Sequence, residues 1–205
     1  MTERFGTTSA QREFRLAGSA CLVIAMTLLA GCFPQHFAGY RPIGNGELEG
    51  GYCIAGIKDA LRTSAPGGLQ IITRALLAPR ERELEISVDV VIPSGVRMRF
   101  LADHIVITSN NATESAHLRI TRITRSGPTE LQPLDALDGL PDKTPTLYSV
   151  WVQPVSESAL KPTPLSPSPG FSISLPAMLI NAQPYQPDAI AFEPYREWGI
   201  YYCIQ

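Results

Sequence analysis

LEISVDVVI, residues 84–92, decides the fold class. Leu84, Ile86, Val88, Val90 and Ile92 are apolar, and Glu85, Ser87 and Asp89 fall between them. A period of two puts the apolar set on one face of an extended chain and the polar set on the other, the pattern of a half-buried β-strand. A helix would scatter the same residues around its axis at about 100° per residue.

The pattern continues on both sides. Pro93-Ser94-Gly95 is a turn signal. Residues 96–108, VRMRFLADHIVIT, follow as the next strand, with Val96, Met98, Phe100 and Ala102 alternating against Arg97 and Arg99. The polar run 109–116 reads as a loop, and HLRITRIT at 117–124 returns as a strand. Upstream, LQIITRALL at 69–77 is a strand, while IKDALRTS at 57–64 fits a short helix or a strand equally well. Downstream, LYSVWVQ at 147–153, FSISL at 171–175 and the terminal GIYYCIQ are strands. Residues 154–170 hold five prolines and read as an extended surface loop. At least seven short strands separated by Pro and Gly predict one all-β domain, a β-sandwich or a barrel-like fold, over 52–205.

The first 31 residues are of another kind. Arg4, Arg12 and Arg15 lie in a polar start, and LAGSACLVIAMTLLA at 16–30 is almost wholly apolar. This is the order of an export signal peptide, and the apolar run falls short of the ~20 residues that span a bilayer. Leu29-Ala30-Gly31-Cys32 follows directly and resembles the lipobox of bacterial lipoproteins. The resemblance implies cleavage between Gly31 and Cys32, and acylation of the Cys32 thiol by a diacylglyceryl group, with palmitate-type chains holding the protein on a membrane. In that family an Asp after the cysteine favours retention at the inner membrane. Phe33 stands there instead, so the resemblance points to the outer membrane, facing the periplasm. Residues 32–51 are rich in Gly and Pro and read as a lipid-attached tether.

Cysteine usage agrees with export. Cys21 leaves with the signal peptide and Cys32 takes lipid, so Cys53 and Cys203 remain as an even pair in an oxidising compartment. A disulfide between them is expected; two buried free thiols are the rival reading. Two cysteines so far apart, with no nearby His, give no metal-ligand spacing.

The rest of the chemistry is sparse. Cutting before Cys32 leaves 174 residues with 14 basic and 17 acidic side chains. No basic field is left to hold phosphates, so nucleic acid is not an expected partner. There is no Gly-x-Ser-x-Gly elbow, Walker loop, HExxH or CxxC, and no cofactor is expected. His36 lies in the tether. His104 and His117 flank the loop at 109–116; if that loop closes a hairpin, residue 104 faces about 121, which leaves His117 about 13 Å away and a shared metal site out of reach. Asp103 and His104, as strand neighbours, point to opposite faces. Asp135, Asp138 and Asp142 lack the alternating ligand pattern of a calcium loop, and Asn111-Ala112-Thr113 is a sequon without a use in such a protein.

Two surfaces are left as candidates for contact. Arg74, Arg80, Arg82, Arg97, Arg99, Arg119, Arg122 and Arg125 share the strand region with Glu81, Glu83, Glu85 and Asp89. They read as cross-strand charge pairs or as a face that reads carboxylates or phosphates. Tyr195, Trp198, Tyr201 and Tyr202 read as core or as a contact patch. The expectation is a non-enzymatic envelope lipoprotein that binds an envelope protein partner. A periplasmic inhibitor or immunity protein is the alternative, and an envelope hydrolase the weaker third.

Overall fold

The computed structural model describes residues 35–50, 54–55, 57–77, 84–110, 115–125, 129–141, 144–154 and 170–201. Cys32, Cys53, Cys203, the signal peptide, Arg80, Arg82 and most of the proline-rich segment lie outside them.

Among the described residues the fold is all-β and sandwich-like, in a single domain. Its strands are β1 (Gln35–Ile43), β2 (Glu47–Gly50), β3 (Ile54–Ala55), β4 (Lys58–Ser64), β5 (Gln70–Leu77), β6 (Leu84–Ile92), β7 (Arg97–Phe100) and β8 (His104–Ser109). They continue as β9 (Ser115–Arg125), β10 (Glu130–Leu131), β11 (Leu137–Asp138), β12 (Thr146–Pro154), β13 (Phe171–Ser174), β14 (Met178–Ile180), β15 (Gln183–Tyr185) and β16 (Ile190–Tyr201). All pairings are antiparallel. The large sheet runs β1-β16-β13-β8-β9-β12-β6-β5-β4-β2, with β10 on β9 and β3 on β16; a small sheet runs β11-β7-β14-β15.

The large sheet has to curl. Ten strands laid flat would measure about 45 Å across. Its end strands β1 and β2 are nevertheless consecutive in the chain and joined by Gly44-Asn45-Gly46, a link that reaches at most about 14 Å. The two edges therefore meet, and β1 packs against β4 and β5. Gly46 permits the joining turn: a Cβ there would lie 2.5 Å from the Arg62 carbonyl oxygen.

β6 lies inside the wall, between β5 and β12. Ile86, Val88, Val90 and Ile92 are buried, as the alternation predicts. They join one core with Leu61, Ile71, Ile105, Ile107, Leu118, Ile120, Ile123, Tyr148 and Val150. Phe171 is stacked on Phe192 and meets Tyr40 edge-on. Inward side chains of the small sheet, Met98, Phe100, Met178 and Ile180, complete the same core.

Four readings of the sequence change. Residues 35–50, expected within a tether, form β1 and β2, and Tyr40 is buried in the core; Pro42 is tolerated because β1 is an edge strand. The ambiguous segment 57–64 is strand, as β4. Residues 96–108 are two strands in different sheets. The buried positions move from even (96, 98, 100) to odd (105, 107) across the break at 101–103, where Leu101 is exposed. A single strand cannot change the parity of its buried face without such a break. Finally, β16 begins well before the terminal GIYYCIQ. Pro194 falls between the residues that pair with β13 and those that pair with β3, where a missing N–H costs no ladder bond on that side.

Candidate functional site

The outer face of β9 and β12 presents fixed aromatic and cationic groups to solvent. In β9 the buried residues are Leu118, Ile120 and then Ile123, a step of three where a regular strand steps by two. A β-bulge opposite Trp151 and Val152 resets the phase, the device by which strands re-aim side chains. It leaves Arg122 paired with Trp151 on the outer face. The Arg122 guanidinium stands 4.6 Å above the Trp151 ring, the indole N–H donates to Thr124 Oγ1 at 3.0 Å, and the Thr121 hydroxyl donates to the Trp151 carbonyl at 3.3 Å. Trp151 is thus held in place while 47% of it stays exposed, with Leu147 at 40% on the same face. An aromatic that is both exposed and oriented loses little further freedom on binding, the property of contact hot spots.

The same face continues across β8. Here the hairpin register corrects the distance expected from sequence. His104 pairs with Arg119 and Val106 with His117, because β8 and β9 pair as far out as Thr108 and Ser115 and the loop is shorter than 109–116. The two imidazole centroids are therefore only 6.0 Å apart. Asp103 gives its carboxylate to Arg119, Nε to Oδ2 at 3.1 Å, and lies 3.7 Å from His104 Nδ1, beyond hydrogen-bond range. Among the described residues no group of three His, Cys, Asp or Glu could hold a metal.

Most of the arginines are engaged. Arg74 Nη1 lies 3.8 Å from Asp89 Oδ2, Arg97 Nε 3.2 Å from Asp138, and Arg122 Nη1 4.0 Å from Glu130; Arg125 donates to Thr129. Asp89 also accepts a 2.7 Å hydrogen bond from Ser149 Oγ. The acidic cluster is dispersed: Asp135 accepts the Gln132 N–H, Asp138 pairs with Arg97, and Asp142 lies outside the described residues. Of the C-terminal aromatics, Trp198 is 69% exposed, Tyr195 is half-buried, Tyr201 ends β16, and Tyr202 lies outside the described residues.

A second polar group sits at the seam where β1, paired with β16, meets β4 and β5. Tyr195 lies over Gly39, whose missing Cβ would stand 3.0 Å from the ring, and the Arg41 guanidinium stands 5.4 Å from the ring centre while pairing with Glu197. Asp59 is only 4% exposed, and among the described residues its Oδ1 has no hydrogen-bond partner; neither has Arg74 Nε nor Thr73 Oγ1. Burial raises the Asp59 pKa above the ordinary carboxylate value, against the pull of the Arg74 charge and the residue's own N–H. Burial, and then the Asp59 and Glu197 charges, push Tyr195 up to about 12 against the effect of Arg41.

Sequence reasoning passed over both Trp151 and Asp59. The strand of Trp151 was legible, but with apolar residues on both of its faces the sequence did not say which face is buried. Asp59 left no signal, because its segment had no determinate period.

Among the described residues no helix is long and apolar enough to cross a membrane. No family model, curated protein or solved structure matches the chain.

Proposed function

We propose that this chain is a lipid-anchored envelope protein of non-enzymatic role, held at the outer membrane through Cys32, whose outer face on β9 and β12 docks an envelope protein partner. The observation that carries the docking face is Trp151, exposed yet oriented by Arg122 and Thr124. The anchor rests on Leu29-Ala30-Gly31-Cys32 after a short apolar run. Two or three acyl chains make a firm anchor, at about 0.8 kcal/mol per buried methylene.

A Cys53–Cys203 disulfide belongs to the same reading. It is supported by the ladder that pairs Ala55 with Ile200 and Ile54 with Tyr201, since Cys53 directly precedes that ladder on one strand and Cys203 follows two residues after it on the other.

Cys32→Ala tests the anchor. It should leave an uncleaved precursor that takes up no labelled palmitate, and normal processing with membrane retention contradicts the reading. Trp151→Ala tests the face: crosslinked capture from the native envelope should lose a discrete partner band while the melting curve barely moves. Unchanged capture removes β9 and β12 from consideration.

A further inference from the structure

The small sheet carries, on its solvent side, a hollow of about 300 Å³ lined by Arg97, Met98, Arg99, Ala136, Leu179 and Ala182. β7 supplies its two cations. Met98 and Phe100 face the core, which leaves Arg97 and Arg99 side by side on the outer face. Their situations differ. The Arg97 guanidinium is matched by Asp138 across the β7–β11 pair. That of Arg99 has no ion-pair or hydrogen-bond partner among the described residues. Opposite Arg99 on β14 stands Leu179, so one unmatched positive charge and an apolar wall share the hollow.

The turn at its rim is unusual in the same direction. Ile180 pairs with Gln183, leaving a two-residue turn with Asn181 and Ala182 both at positive φ, 49° and 64°. Asn181 suits the position and is pinned from both sides. Its amide donates to the Arg97 carbonyl at 2.8 Å, and its Oδ1 accepts the Arg97 amide at 2.9 Å. Ala182 does not suit it: glycine adopts this conformation without penalty. The chain keeps a methyl group here, and that methyl borders the hollow. Backbone strain of this sort gathers at ligand sites.

We propose that this hollow binds a small organic carboxylate with an apolar body, its carboxylate on Arg99 and its body against Leu179 and Ala182. A guanidinium fork matches one carboxylate in bidentate fashion. With Arg97 already matched, one free positive charge takes one negative charge, and a dianionic phosphate would be left half-compensated. The volume is at the small end for ligand sites, which fits a compact acid and excludes a long acyl chain. The site is separate from the face on β9 and β12 and does not depend on it.

Benzoate, its neutral amide benzamide and inorganic phosphate are the probes, titrated against the full chain in a nonionic detergent by ligand-observed NMR. Benzoate should saturate, with benzamide and phosphate each weaker by about tenfold or more. Arg99→Gln should weaken benzoate by a similar factor, while Arg122→Gln, remote from the hollow, leaves it unchanged. Ala182→Gly, which relaxes the turn and keeps the charge, should weaken benzoate but not acetate. Equal binding of benzoate and benzamide, a benzoate affinity unaffected by Arg99→Gln, or no saturation at about 10 mM overturns the proposal. Phosphate binding tighter than benzoate overturns it in favour of a phosphate site.

Discussion

β6 and the seam where β1 meets β4 and β5 are both buried, and they are built in opposite ways. Along β6 every inward side chain is aliphatic, and the outward Asp89 holds a hydrogen bond to Ser149 with Arg74 nearby. At the seam three buried polar atoms, on Asp59, Thr73 and Arg74, stand without partners among the described residues. A buried polar group without a partner costs about 1–3 kcal/mol, so β6 contributes stability while the seam spends some of it. The difference lies in topology. β5 is paired on both sides as β6 is, but β4 and β5 also meet β1 where the sheet curls, and Asp59 falls at the register shift between β2 and β4, outside the β4–β5 ladder.

The largest expected effect is in β6. Val88→Asp would bury an unpaired charge at a position that is 1% exposed, costing several kcal/mol, and should unfold the domain. A far-ultraviolet melt that stays cooperative near the wild-type midpoint would break the comparison at its root.

Asp59 comes next, with the opposite sign. Its folded-state pKa is raised, so the folded protein holds the proton more tightly than the unfolded chain does. Its contribution to stability therefore falls as pH rises from the ordinary carboxylate value of 3.8 up through the raised one. Asp59→Asn should be more stable than wild type at neutral pH, with the gap closing in acid. Denaturant midpoints taken across that range decide the matter, and a gap that widens in acid contradicts it.

Two smaller effects sharpen the contrast. Asp89→Ala removes the Ser149 hydrogen bond and the facing charge of a largely covered Arg74, and should cost about 1–2 kcal/mol. Thr73→Val replaces a fully buried hydroxyl that has no partner by a methyl group. It should raise stability by about 1 kcal/mol, whereas a loss of that size would mean the hydroxyl is satisfied after all.

What the sequence discloses follows the same line. β6 is legible because each of its residues is decided by which side of one sheet it faces. The break at 101–103 was legible too, in the parity of Phe100 against Ile105, although the run 96–108 looks continuous. β1 was hidden by composition. Gly39 makes room for Tyr195 and Pro42 sits on an edge strand, so residues that usually mark a tether serve a strand whose partner lies some 150 positions later. The His104–His117 spacing depended on two residues of loop length, which no local pattern specifies. Asp59 and Arg74 are brought near each other by the β4–β5 pairing, in which Ala60 faces Arg74, and a polar residue in a short segment without period gives no sign of that. For Trp151, the strand was legible but the face was not, because Leu147 and Trp151 are as apolar as Tyr148 and Val150.

The docking face proposed on β9 and β12 is tested most directly by site-specific photo-crosslinking in the cells that make the protein. A photoreactive residue is placed at position 147, beside Trp151, and in a second chain at position 183, an exposed site on the small sheet. Position 147 should give a discrete adduct that disappears when Trp151→Ala is added, and position 183 no matching adduct. Adducts of the same pattern from both positions, or one from 147 that survives Trp151→Ala, would contradict it.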